Sequence, residues 1–117
     1  MKLTEGYTMQ TYDAIVRRYA WFERRRMELV RLENKEHSNL YRLQVHGNPE
    51  GYYYPEAAAE EMQRKISAWN RERGELVMMQ HLLEGIILES YGWMAPEEML
   101  EDGENILESE DEAAGAF

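Results

Sequence analysis

The stretch Asn34–Tyr54, NKEHSNLYRLQVHGNPEGYYY, decides how this chain is read as a fold. Its first six residues are polar and interrupt the apolar spacing before them. In Leu40–His46 a period of two takes over. Tyr41, Leu43 and Val45 share one face while Arg42, Gln44 and His46 share the other, the pattern of a half-buried strand. Gly47–Gly51 (GNPEG) concentrates turn formers, and Tyr52-Tyr53-Tyr54 has strong strand preference. A β-hairpin is the expectation.

Upstream, from about Thr8 to Glu36, the apolar residues Tyr12, Ile15, Val16, Tyr19, Phe22, Met27, Leu29 and Val30 fall on one helical face, with Thr8 or Thr11 as the cap. Downstream, Pro55, Glu56 and Ala57-Ala58-Ala59 suit the opening of a second helix. Its stripe is Met62, Ile66, Trp69, Leu76, Leu83 and Ile87, running on to Tyr91, with Gly74 and Gly85 as candidate kinks. Between Leu76 and Leu88, Val77, Met78, Met79, Leu82, Ile86 and Leu88 spread apolar surface almost all round, more than one partner helix buries. That surplus reads as the interface of a homo-oligomer, a dimer or tetramer. Beyond Gly92, Pro96–Leu100 suits one helical turn, and Ser109–Phe117 reads as disordered. The expected fold is α+β and predominantly helical: long helix, β-hairpin, long helix, disordered acidic tail. Residues 1–94 form the helix-hairpin-helix oligomerising domain and 95–117 the tail.

At 117 residues the chain has the size of one domain. The absence of cysteine removes disulfides, thiolate zinc sites and thiol nucleophiles, and fits a reducing cytoplasm. The polar start, Met1–Gln10, is neither signal peptide nor anchor, and no run reaches the roughly 18 apolar residues of a spanning helix, so no membrane is expected. His37, His46 and His81 lie in unrelated contexts. His81 with Glu84 at i, i+3 is an ordinary helix-surface pair before it is a metal site. With no nucleophile elbow, carboxylate dyad or phosphate-cradling glycine pattern, the chain reads as a binding protein with no cofactor and no metal, not as an enzyme.

The net charge of −10 divides unevenly. Met1–Met94 holds all 13 Lys and Arg against 14 acids, whereas Ala95–Phe117 holds nine acids and no base. On a wheel of the first helix, Arg17, Arg18, Arg24, Arg25, Arg31 and Lys35 face outward with Trp21 among them. The spacing of Arg24 and Glu28 also suits an ordinary i, i+4 ion pair. Cations flanking an exposed indole suit single-stranded nucleic acid, whose phosphates need charge and whose bases need a flat apolar surface. The hairpin adds Arg42, Tyr52 and Tyr54 to this candidate surface.

The end of the chain, Glu108-Ser109-Glu110-Asp111-Glu112-Ala113-Ala114-Gly115-Ala116-Phe117, is an acid run closed by a lone aromatic. It resembles the tails of bacterial and phage single-stranded DNA-binding proteins, in which the resemblance implies that Glu110, Asp111, Glu112 and Phe117 compete with DNA and dock on partner proteins. The small-residue spacer departs from that family's apolar-Pro-Phe ending, and the body lacks the five strands of an OB-fold. A helix-hairpin-helix body with such a tail is similar to the small ssDNA-binding RNA polymerase cofactors of lytic phages. The function expected on these grounds is non-catalytic single-stranded DNA binding in the host cytoplasm by a phage-encoded protein acting in transcription or replication. An RNA polymerase or replication protein would be its partner through the tail. The rival is an acidic inhibitor or adaptor that mimics DNA and engages a host protein; it needs the acids ordered on a surface, where DNA binding needs them mobile.

Overall fold

A computed structural model describes residues 9–46 and 56–115 of the chain. They form three helices, α1 (Met9–His46), α2 (Glu56–Tyr91) and α3 (Pro96–Gly115), and no strand lies among the described residues. The α+β expectation is thereby overturned in favour of a helical bundle. Leu40–His46 is the last part of α1, so Arg42 and Gln44 lie on a helix. The turn at Gly47–Gly51 and Tyr52–Tyr54 lie outside the described residues.

Helical spacing explains why α1 does not stop at Asn34. Leu29, Glu33, Glu36, Leu40 and Leu43 recur at intervals of four and three. Leu29, Glu33 and Leu40 are buried, Glu36 and Leu43 half-buried, whereas Tyr41 and Val45 are exposed at 64% and 55%. The period of two is therefore incidental, because, of its supposed inner face, only Leu43 turns inward while Tyr41 and Val45 point to solvent. Two of the inward positions are Glu, which disguises the stripe. Lys35, Glu36, Leu40, Arg42, Leu43 and Gln44 are good helix formers, and neither Gly nor Pro interrupts the run before Gly47.

The described residues divide into two compact units, 9–25 with 76–115 and 26–46 with 56–75. In the second, Leu29, Leu40 and Ala59 are buried, with Met62, Ile66 and Trp69 half-buried, as the stripe of α2 anticipates. Buried Glu33 receives two hydrogen bonds from Arg73, Nε–H to Oε2 at 2.8 Å and Nη2–H to Oε1 at 3.2 Å, and one from the Asn70 amide at 3.5 Å. A carboxylate in this position requires such partners. Met27, expected on the inner stripe, is instead 59% exposed.

The first unit has a core of Tyr12, Val16, Tyr19, Ile87 and Met99, joined by Ile15, Leu83, Tyr91, Leu100 and Ile106 from all three helices. Tyr12 stands edge-on to Tyr91, centroids 5.7 Å apart, and 6.0 Å from Trp93. α2 ends where Gly92 takes a positive φ of 76° and donates its N–H to the Leu88 carbonyl at 3.0 Å, the left-handed cap that glycine adopts without strain. Three residues later Ala95 accepts the Met99 N–H at 2.9 Å. Pro96 then enters α3, with Glu97 and Glu98 at its positive end. The tail expected to be disordered is therefore helical as far as Gly115. Met99, Gly103 and Leu107 are buried at intervals of four, a helical stripe whose middle position is a glycine.

Candidate functional site

Gly103 sets the geometry of the acidic helix. A side-chain methyl there would overlap the Val16 carbonyl oxygen and come within 2.7 Å of the Ala20 methyl, so α1 and α3 meet backbone to backbone at this point. On one side of the crossing the Tyr12 hydroxyl donates to Asp102 Oδ2 at 2.5 Å. Burial, then the hydrogen bond and charge of Asp102, push the Tyr12 phenol well above its ordinary value.

On the other side the acids of α3 reach the basic strip of α1. Arg17 grips Glu110 with both Nε–H and Nη2–H, at 2.6 and 2.8 Å. Arg24 donates from Nε to Glu104 at 3.1 and 3.2 Å, and from Nη1 to Asp111 at 3.2 Å. The hydrogen bond from Arg17 holds the Glu110 carboxyl below the usual carboxylate range, and the bonds to Glu110 and to Glu104 raise Arg17 and Arg24 respectively. These pairs are largely solvated, so each stabilises the fold weakly. Together they oppose a specific liability. The last turns of α3 carry Glu108, Glu110, Asp111 and Glu112 and no base at the negative end of the helix, an arrangement that destabilises it when isolated.

The residues read as a nucleic-acid surface separate accordingly. Arg17, Arg18, Trp21 and Phe22 line an open pocket of about 310 Å³, with Trp21 50% exposed and 5.8 Å edge-on from Phe22. Arg18 is exposed, and Arg25 is half-buried and engaged. Arg31, Lys35 and Arg42 are exposed in the other unit. Tyr52, Tyr54 and Phe117 lie outside the described residues. Of the tail acids, Glu110 and Asp111 are paired and Glu112 is exposed. His81 Nδ1 lies 3.1 Å from Glu84 Oε1, and Glu84 also accepts the Tyr19 hydroxyl at 2.6 Å. No group of three potential metal ligands occurs among the described residues, and none of their helices is long and apolar enough to cross a membrane.

Absent from the sequence-derived site are Glu104, which shares Arg24, and an outward row on α3. Glu97, Glu101, Glu108 and Glu112 fall within about 60° of one another on the helix wheel, opposite buried Gly103, and all are exposed. Their spacing of 4, 7 and 4 is visible in the sequence once α3 is taken as continuous. The described part of this unit holds thirteen Asp and Glu against four arginines, Arg17, Arg18, Arg24 and Arg25, a net of −9, while the other unit balances eight against eight. No protein-family model matches the chain, and neither a curated protein nor a solved structure matches it.

Proposed function

We propose that this chain is a non-catalytic binding protein that presents α3 as a phosphate-like row to the basic surface of a partner protein, as a DNA-mimicking inhibitor or adaptor. The observation that carries this is the order and density of the acids. Glu97 to Glu112 spans about 22 Å of helix at 1.5 Å per residue. Setting aside Glu104, Glu110 and Asp111, which arginines neutralise, and Asp102, which accepts the Tyr12 hydroxyl, leaves the exposed Glu97, Glu98, Glu101, Glu108 and Glu112. That is one charge per roughly 4.5 Å, against one per 3.4 Å along a strand of B-DNA. A surface evolved to hold a nucleic-acid strand meets a comparable field here, already fixed in shape, so docking costs little ordering entropy. In the test, the chain is added to complexes of labelled DNA with RNA polymerase and with a replicative DNA-binding protein. Wild type releases the DNA, and Glu97→Gln/Glu101→Gln/Glu108→Gln/Glu112→Gln does not. Failure of wild type to release DNA from either complex removes this reading.

A second reading, single-stranded DNA binding by a phage-type protein, draws on the pocket of Arg18, half-exposed Trp21 and Phe22. It requires Arg17 and Arg24 to exchange Glu110, Glu104 and Asp111 for phosphates, in a unit whose net charge repels polyanions. In fluorescence anisotropy at two salt concentrations, this reading requires binding that falls with salt by about 0.7 log unit per log unit and per phosphate contact. Binding should be strengthened by Glu110→Gln/Asp111→Asn and lost in Trp21→Ala/Arg18→Ala.

A further inference from the structure

We infer that the outward face of α2 in the acidic unit, Met78, Met79, Leu82 and Ile86, seats an amphipathic helix of a basic partner protein. Inside the unit, α2 turns Leu76, Gln80, Ile87 and Ser90 inward as buried residues. The opposite face is left apolar, with Met78 and Leu82 67% and 68% exposed, Met79 44% and Ile86 37%. Four large apolar side chains on one arc of a helix form a continuous patch, unlike the scattered exposures of an ordinary surface. Gly85, at the edge of this arc, has nothing within 4 Å of the place a side chain would fill, so that edge of the patch is open. Two of the four residues are unbranched methionines, which repack around ligands of differing shape.

Charge selects the occupant. Residues 76–91 contain no Lys or Arg, Glu89 is exposed on the same arc, and the described unit nets −9. A second copy would bring −9 against −9, and an anionic lipid surface would be repelled in the same way. A helix with apolar residues at i, i+3, i+4 and i+7 and Lys or Arg on its flanks satisfies both the patch and the field. This inference rests on the reading of the unit as an acidic binding surface and supplies the apolar half of what that surface recognises.

The probe is a labelled 18-residue peptide of Leu and Lys in helical register, with its Leu and Glu counterpart as control, titrated with the full chain. Wild type binds the Leu/Lys peptide and not the Leu/Glu one. Met78→Gln/Leu82→Gln, which alters no charge and no buried group, weakens binding about tenfold or more with its helical circular dichroism unchanged. Binding of this variant at wild-type affinity overturns the inference. So does a wild-type dimer in sedimentation equilibrium that the same variant dissociates, since the face would then be covered by a second copy. If the four-glutamine variant of α3 loses the peptide and the Met78/Leu82 variant keeps it, the apolar seat falls and the acidic row stands. If DNA release is unaffected in the four-glutamine variant while the Met78/Leu82 variant loses the peptide, the row falls and the seat stands.

Discussion

The guanidinium of Arg17 holds both carboxylate oxygens of Glu110 across 93 residues of sequence. The charges in the last turns of α3 oppose a helix there, since four acids crowd its negative end without a base. The partner that settles these turns is on another helix. In Arg17→Gln, amide hydrogen exchange in Ser109–Gly115 should accelerate severalfold while that of Tyr12–Ala20 is unchanged, because the pair is solvated and contributes little to the global fold. Equal acceleration in both segments would show that the pair supports the core and not the tip.

The same pair sets a pH dependence. Glu110 in the folded chain titrates below its ordinary 4.5, so its contribution is complete above that value and is lost as pH falls through the depressed one. Carbon-13 titration of the Glu110 carboxyl should therefore give a midpoint below 4.5, and Arg17→Gln should return it toward 4.5. At the alkaline end Tyr12 has the opposite sign. Burial and Asp102 favour its neutral form, so stability from this contact is present below the ordinary tyrosine range and is lost only as pH climbs through the raised value. Absorbance of the phenolate should show one tyrosine resisting ionisation, and Asp102→Asn should ease its titration.

Glycine substitutions should change sign with position. Gly103→Ala forces a methyl against the Val16 carbonyl and should destabilise the chain by about 1–3 kcal/mol, with loss of α3 protection. Gly74, inside α2 with open space beside it, should gain about 0.5–1 kcal/mol as Ala. Urea midpoints that move in the same direction for both variants would refute the close crossing.

Buried Glu33 offers a further test in the other unit. Glu33→Ala leaves Arg73 and Asn70 without their acceptor and should cost about 1–3 kcal/mol. The paired change Glu33→Leu/Arg73→Leu should recover part of that loss, because it removes the buried carboxylate together with the partly exposed guanidinium that pairs with it. Additive losses in the double variant would contradict this.

Much of the molecule is legible in its residue spacing, and the exceptions share a physical cause. The inner stripe of α2 is apolar at Leu76, Leu83 and Ile87, and that of α1 at Tyr12, Val16 and Tyr19, so periodicity exposes both although α2 also buries Gln80 and Ser90. The second half of α1 buries Glu33 and half-buries Glu36, and α3 buries a glycine. In both places the position that completes the helical pattern is not hydrophobic, and the pattern is lost to view. The outward placement of Arg17, Arg18 and Trp21 follows from the wheel of α1. That Glu104, Glu110 and Asp111 meet Arg17 and Arg24 does not, because composition says only that opposite charges are available, while the crossing at Gly103 decides which of them touch.

The close approach at Gly103 is also the point about which any tilt of α3 on α1 would turn. From it to Asp111 the helix extends about 12 Å, so a tilt of about 10° carries the tip about 2 Å sideways. That travel is enough to part Arg24 from Asp111, 3.2 Å apart, while buried Leu107, about 6 Å along the helix, would shift by about 1 Å. A spectroscopic label on Ala113 or Ala114, farther out than Leu107, would read such a tilt as a displacement more than twice that in the apolar interior.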